Sequence, residues 1–77
     1  MNFENFEIEW KNAFLNKPPY VSVELNNNTV IWANWYNSDG NTIKLFRKGM
    51  DEYDSYLLRI AEVELKNVIR IYNTWSD

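Results

Sequence analysis

Hydrophobic positions along the chain follow first a helical and then an extended rhythm. Phe3, Phe6, Trp10, Ala13 and Phe14 fall on one stripe of a 3.6-residue repeat, with Glu4, Glu9 and Asn12 off it. That predicts a helix over residues 2–16. Ile8 and Leu15 form a second, narrower stripe that needs a cover or faces water. Lys17-Pro18-Pro19 then ends the helix, because proline lacks the amide donor and disfavours helical backbone in the residue before it. Residues 20–25 alternate, with Val21, Val23 and Leu25 on one face and Tyr20, Ser22 and Glu24 on the other, as a half-buried strand does. Asn26-Asn27-Asn28 is a turn, since asparagine tolerates positive φ.

Residues 29–36 are the most apolar run. In extended form Val30, Trp32, Asn34 and Tyr36 point one way and Ile31, Ala33 and Trp35 the other, so neither side is a solvent face. The run reads as the middle strand of a sheet. A second turn over residues 37–41 places Gly40 in the left-handed position. Residues 42–48 are a third strand, with Ile43 and Leu45 inward and Lys44 and Phe46 on the opposite side.

From Asp51 to about Trp75 the pattern reads as helical again. Asp51 is placed as an N-cap, with Glu52 and Asp54 in the first turn, where negative charge suits the helix dipole. Tyr53, Leu57, Ile60, Ala61, Val68, Ile71, Tyr72 and Trp75 share one face, and Glu62 precedes Lys66 by four on the other. A helix of about 25 residues is roughly 37 Å long, against roughly 23 Å for strands of about seven residues. The overhang makes Trp75 a candidate for an intermolecular contact. Glu64 sits in the middle of the apolar face, where a lone carboxylate is costly unless paired, so it either escapes toward solvent through a bend or edge position or is a candidate interface residue.

The elements sum to an α+β fold, αβββα, in one domain spanning residues 1–77: a three-stranded antiparallel meander with two helices on one face. The other face is then left open with Tyr20, Ser22, Glu24, Lys44 and Phe46. One side of the middle strand joins them, either Trp32 with Tyr36 or else Trp35. A contiguous exposed aromatic patch of that kind marks an interface.

Composition narrows the chemistry. With no cysteine and no histidine among 77 residues, there is no disulfide framework, no thiolate nucleophile and neither of the usual zinc ligands. No cofactor or metal is expected, and no enzymatic activity. The glycines are isolated, so no phosphate loop exists, and no apolar run approaches a membrane span. A net charge of -3 repels a phosphate backbone at long range. The expectation is a cytoplasmic protein with no direct nucleic-acid contact.

In layout the helix, meander and C-terminal helix resemble double-stranded RNA-binding domains, with Pro18-Pro19-Tyr20-Val21-Ser22-Val23 where that family places a proline before its first strand. The family carries lysines at the start of its second helix. This chain has Gly49-Met50-Asp51-Glu52-Tyr53-Asp54, so the resemblance implies the fold and no RNA-binding residues.

In size, acidity and lack of cysteine the chain also resembles phage or mobile-element inhibitors of host defence nucleases, such as anti-CRISPR proteins. That resemblance implies a non-enzymatic inhibitor whose partner is a host protein, a nuclease complex for example. Acidic residues and exposed rings together would cover a basic surface of that partner. The candidate partner-binding residues are Trp32, Trp35, Tyr36, Phe46, Asp51, Glu52, Asp54, Glu64 and Trp75. A homodimer with a structural, regulatory or immunity role is the second expectation and a nucleic-acid binder the third.

Overall fold

A computed structural model describes residues 1–14, 20–49 and 57–74 of the chain. Helix α1 (Phe3–Ala13) is followed by β1 (Val21–Leu25), β2 (Val30–Ala33), β3 (Trp35–Asp39), β4 (Thr42–Lys48), β5 (Leu57–Glu64), a 3-10 turn (Leu65–Asn67) and β6 (Val68–Asn73). The strands form two three-stranded antiparallel sheets, in the orders β2-β1-β6 and β3-β4-β5. The fold is α+β, as expected, but its architecture differs from αβββα.

The first helix forms on its predicted stripe but ends at Ala13, with Phe14 already extended; Leu15 and the Lys17-Pro18-Pro19 stop lie outside the described residues. Asn2 caps it, its side-chain oxygen accepting from the Asn5 amide at 2.8 Å, and Phe6, Trp10 and Ala13 are buried. Ile8 faces water. Both hairpin turns also form, Asn28 at φ 69° and Gly40 at φ 66°, the second tighter than expected because residues 37–39 belong to β3.

The predicted middle strand breaks in two. Asn34 is buried, and its side-chain amide donates to the Lys48 carbonyl at 2.9 Å while its side-chain oxygen accepts from the Lys48 amide at 2.8 Å. Its own backbone amide donates to the Phe46 carbonyl at 3.0 Å. The carboxamide thus stands in for a neighbouring peptide group and satisfies β4 where the strand turns from one sheet into the other. Before the corner Ala33 points into the core and Trp32 out; after it the alternation restarts with Trp35 out and Tyr36 in. An uninterrupted strand would have sent Trp32 and Trp35 to opposite faces.

The second helix is replaced, over the described residues, by β5, the 3-10 turn and β6. With it goes the double-stranded RNA-binding-domain layout, which requires a helix there. Ala61, Val63 and Leu65 alternate with Glu62, Glu64 and Lys66, a period of two that a helical template cannot use. β-Branched Ile60, Val63, Val68, Ile69 and Ile71 fit a pleated surface better than a helix turn. The apolar residues assigned to one helical face are divided between two strands. Asp51, Glu52, Asp54 and Trp75, together with the predicted N-cap, lie outside the described residues.

Inner faces of both sheets meet in one core built on Val21, Val23, Ala33, Ile43, Leu45, Val63, Leu65, Val68 and Ile71. Helix α1 packs on β6 and closes the space between the sheets with rings. The Tyr36 ring meets Phe6 and Trp10 edge-on, at centroid distances of 4.9 and 4.7 Å, and Phe3 at 6.3 Å. The helix also covers the edge of β6, where the Glu9 carboxylate accepts from the Ile71 amide at 3.2 Å and the Ala13 carbonyl accepts from the Asn73 side chain at 3.2 Å.

Replacing Asn34 by Ala removes two side-chain hydrogen bonds and leaves the Lys48 peptide groups short of partners. The expected loss is about 2–3 kcal/mol, read as a lower urea midpoint with an unchanged slope. An unchanged midpoint would mean the corner does not need the carboxamide.

Candidate functional site

The corner that Asn34 makes also leaves two tryptophans on the outside of the molecule. Trp32 is 52% exposed and Trp35 43% exposed, whereas Trp10 is buried against the helix and sheet rings. Trp32 lies on the outer face of the first sheet, in a cross-strand row with Ser22 and Tyr72. Trp35 lies on the outer face of the second, in a row with Phe46 and Arg59. Phe46 is only 9% exposed yet stands apart from the core cluster, so it is shielded on the outer face, between the strands carrying Trp35 and Arg59.

Cations accompany these rings. The Lys48 ammonium sits 4.0 Å from the Trp35 ring centroid, a cation–π contact worth roughly 0.5–1 kcal/mol at an exposed site. The Arg47 guanidinium donates from Nε to the Trp32 carbonyl at 2.9 Å. By register, Lys44 and Arg59 share the outer face with Trp35 and Phe46. The acids of that face, Asp39, Glu62 and Glu64, lie toward the opposite end, at the β3–β4 hairpin. The second sheet is therefore aromatic and basic at the corner and acidic at the hairpin tip.

This arrangement corrects several expectations about the site. Trp32 and Trp35 come out together, where a straight strand allowed one or the other. Tyr36 turns inward to the helix and is no part of the outer patch. Glu64 is not buried in an apolar face: it is exposed and ion-paired with Lys66 at 3.2 Å. Beside Trp35 the immediate partner is a cation, whereas on the first sheet Glu24, paired with Arg70, shares the outer face with Trp32. Arg47, Lys48 and Arg59 are the contributors that sequence reasoning missed. An outward Phe46 with Lys44 and Lys48 two residues to either side was the available signal for Lys48, and Arg59 was hidden by its assignment to a helix.

Elsewhere the outer face of the first sheet carries a second charged cluster. Arg70 Nε donates to the Glu24 carboxylate at 2.7 Å, and the guanidinium lies 4.4 Å from the Tyr72 ring centroid. A hollow of about 590 Å³ opens between the start of α1, the Gly40–Thr42 turn and the Glu64–Lys66 segment. The N-terminal amine points at the Leu65 carbonyl there, at 3.2 Å. Among the described residues no group of three acidic side chains is arranged to hold a metal ion, and no helix is long and apolar enough to cross a membrane.

No protein-family model, curated protein or solved structure matches the chain. The chain's own geometry therefore carries the functional reading.

One titration reports on the ring cluster behind the corner. Burial, and secondarily the negative charge of Glu7, push the Tyr36 phenol above its ordinary value of 10.0. The folded state then holds that proton more tightly than the unfolded chain. Its contribution to stability is full below about pH 10 and is lost as pH rises through the raised folded value. Melting temperature followed against pH should fall above about pH 10, and less steeply in Tyr36→Phe, which keeps the ring. Superimposable curves for the two proteins would place the phenol in open water.

Proposed function

We propose that this chain is a small non-enzymatic binding module that docks a protein partner through the tryptophan corner. The observation that carries the proposal is the pair Trp32 and Trp35, each about half exposed, one on either side of the Asn34 bend, whereas Trp10 is buried. Large rigid rings with a shielded Phe46 beside them are the makings of an interface hot spot, since each brings much contact area at little conformational cost. Arg47, Lys48 and Arg59 give the patch a cationic rim, so the complementary partner surface presents acidic or aromatic side chains. Used to cover another protein's working surface, such a corner acts as an inhibitor by occlusion, the use suggested by the chain's size and acidity. Electrostatics then run opposite to the sequence expectation at this patch: the described residues beside the rings would attract an acidic target, not a basic one.

Net charge separates this proposal from base stacking. Rings with cations beside them also suit single-stranded nucleic acid, but an overall charge of -3 opposes association with a polyanion at long range. The full chain, immobilised and exposed to nuclease-treated lysate of its source cells, should retain a protein that a folded Trp32→Ala/Trp35→Ala variant does not. Each truncated anchor is expected to cost about 2 kcal/mol or more, roughly 30-fold in affinity. Retention of the same proteins by both chains, or retention that nuclease abolishes, would overturn the proposal.

A further inference from the structure

We propose that the free edge of β5 pairs antiparallel with β5 of a second copy of this chain. The proposal does not use the corner tryptophans, although Arg59 borders both surfaces. Each outer strand of the two sheets presents a row of backbone donors and acceptors that must be covered, blunted or paired. Three of the four are dealt with. The β6 edge lies under α1, with the Ile71 amide bonded to Glu9. At β2, the Arg47 side chain bonds the Trp32 carbonyl, and just past its end the Asn34 amide reaches the Phe46 carbonyl. β3 is five residues long and runs out through Asn37, Ser38 and Asp39, polar residues with poor strand propensity. β5 is the longest strand, eight residues; a bulge and three charged side chains blunt it toward a generic strand, but among the described residues no hydrogen bond reaches its side away from β4.

The side chains of β5 are arranged to select a copy of the same strand. The register with β4 shifts between Leu45 and Phe46, so that Ala61 faces Leu45 and Arg59 faces Phe46, with Ile60 as the extra residue. That bulge resets the alternation. Arg59, Glu62 and Glu64 consequently share the outer face, with positive charge near the start of the strand and negative charge near its end. A two-fold axis through the middle of β5, between Ile60 and Ala61, sets Arg59 of each copy beside Glu62 of the other, with Glu64 one row further on. The same operation brings Leu58, 57% exposed, beside Val63 of the other copy. A parallel arrangement would instead oppose like charges. The contact is isologous and closes on itself, as two-fold dimers do. It joins two β3-β4-β5 sheets into one continuous six-stranded sheet.

Sedimentation equilibrium of the full chain over a range of concentrations tests this. The unmodified chain should fit a monomer–dimer equilibrium. Arg59→Glu should weaken the dimer at least about tenfold, since two symmetry-related attractions become repulsions. Combining Arg59→Glu with Glu62→Arg should restore it, with circular dichroism melting used to confirm that each variant folds. Amide exchange in β5 should also slow as concentration rises. A chain that stays monomeric at every concentration would overturn the proposal. So would a dimer indifferent to Arg59→Glu, or one lost instead on Trp32→Ala/Trp35→Ala, which would place the contact at the corner.

Discussion

The fold depends on a pair of hydrogen bonds between the Asn34 carboxamide and the Lys48 peptide groups. A strand that leaves one sheet and enters another must abandon its ladder for a residue, and abandoned buried peptide groups are expensive. Asparagine offers one donor and one acceptor at the reach of a short side chain, which matches what Lys48 presents. An aspartate would lack the donor for the Lys48 carbonyl, and an alanine would lack both groups. With the bend satisfied, β1 pairs the half of the strand before it and β4 the half after it. The two inner faces can then close over one core, with α1 across the gap.

What was legible in the sequence was local. The stripe from Phe3 to Phe14 specifies its helix through spacing alone, and Asn28 and Gly40 mark the hairpins through backbone freedom that few residues share. The inward Ile43 and Leu45, and the outward Lys44 and Phe46, follow from period-two alternation within one strand. The stretch from Leu57 onward failed because bulged strands imitate a helix. Register shifts in β5 against β4 and in β6 against β1 insert a residue into a two-residue period, and spacings of three and four result. Residues 61–66, where alternation is unbroken, held the correct signal. Asn34 carried no local signal at all, since its role requires a partner fourteen residues away.

The site shows the same division. That this small chain would leave large rings outside was legible from composition, and Trp32 and Trp35 are outside. Which rings share a surface was not, because it depends on the corner: one buried residue decides that Trp35 turns out and Tyr36 turns in. Nor did the net charge describe the patch. A chain with an excess of acids still gathers Arg47 and Lys48 at its exposed tryptophans, because β4 ends at the bend. Local charge decides what a surface attracts at contact, and the whole-chain total sets only the long-range approach.

The corner itself can be observed in solution by nuclear magnetic resonance, through scalar coupling across hydrogen bonds. If Asn34 closes the bend, its side-chain nitrogen couples to the Lys48 carbonyl carbon, and the Lys48 amide exchanges with solvent as slowly as the amides of the core strands. A Lys48 amide exchanging at the rate of an open loop, with no coupling to Asn34, would contradict the account: the strand would then not be held at its bend, and nothing would keep both tryptophans out of the core.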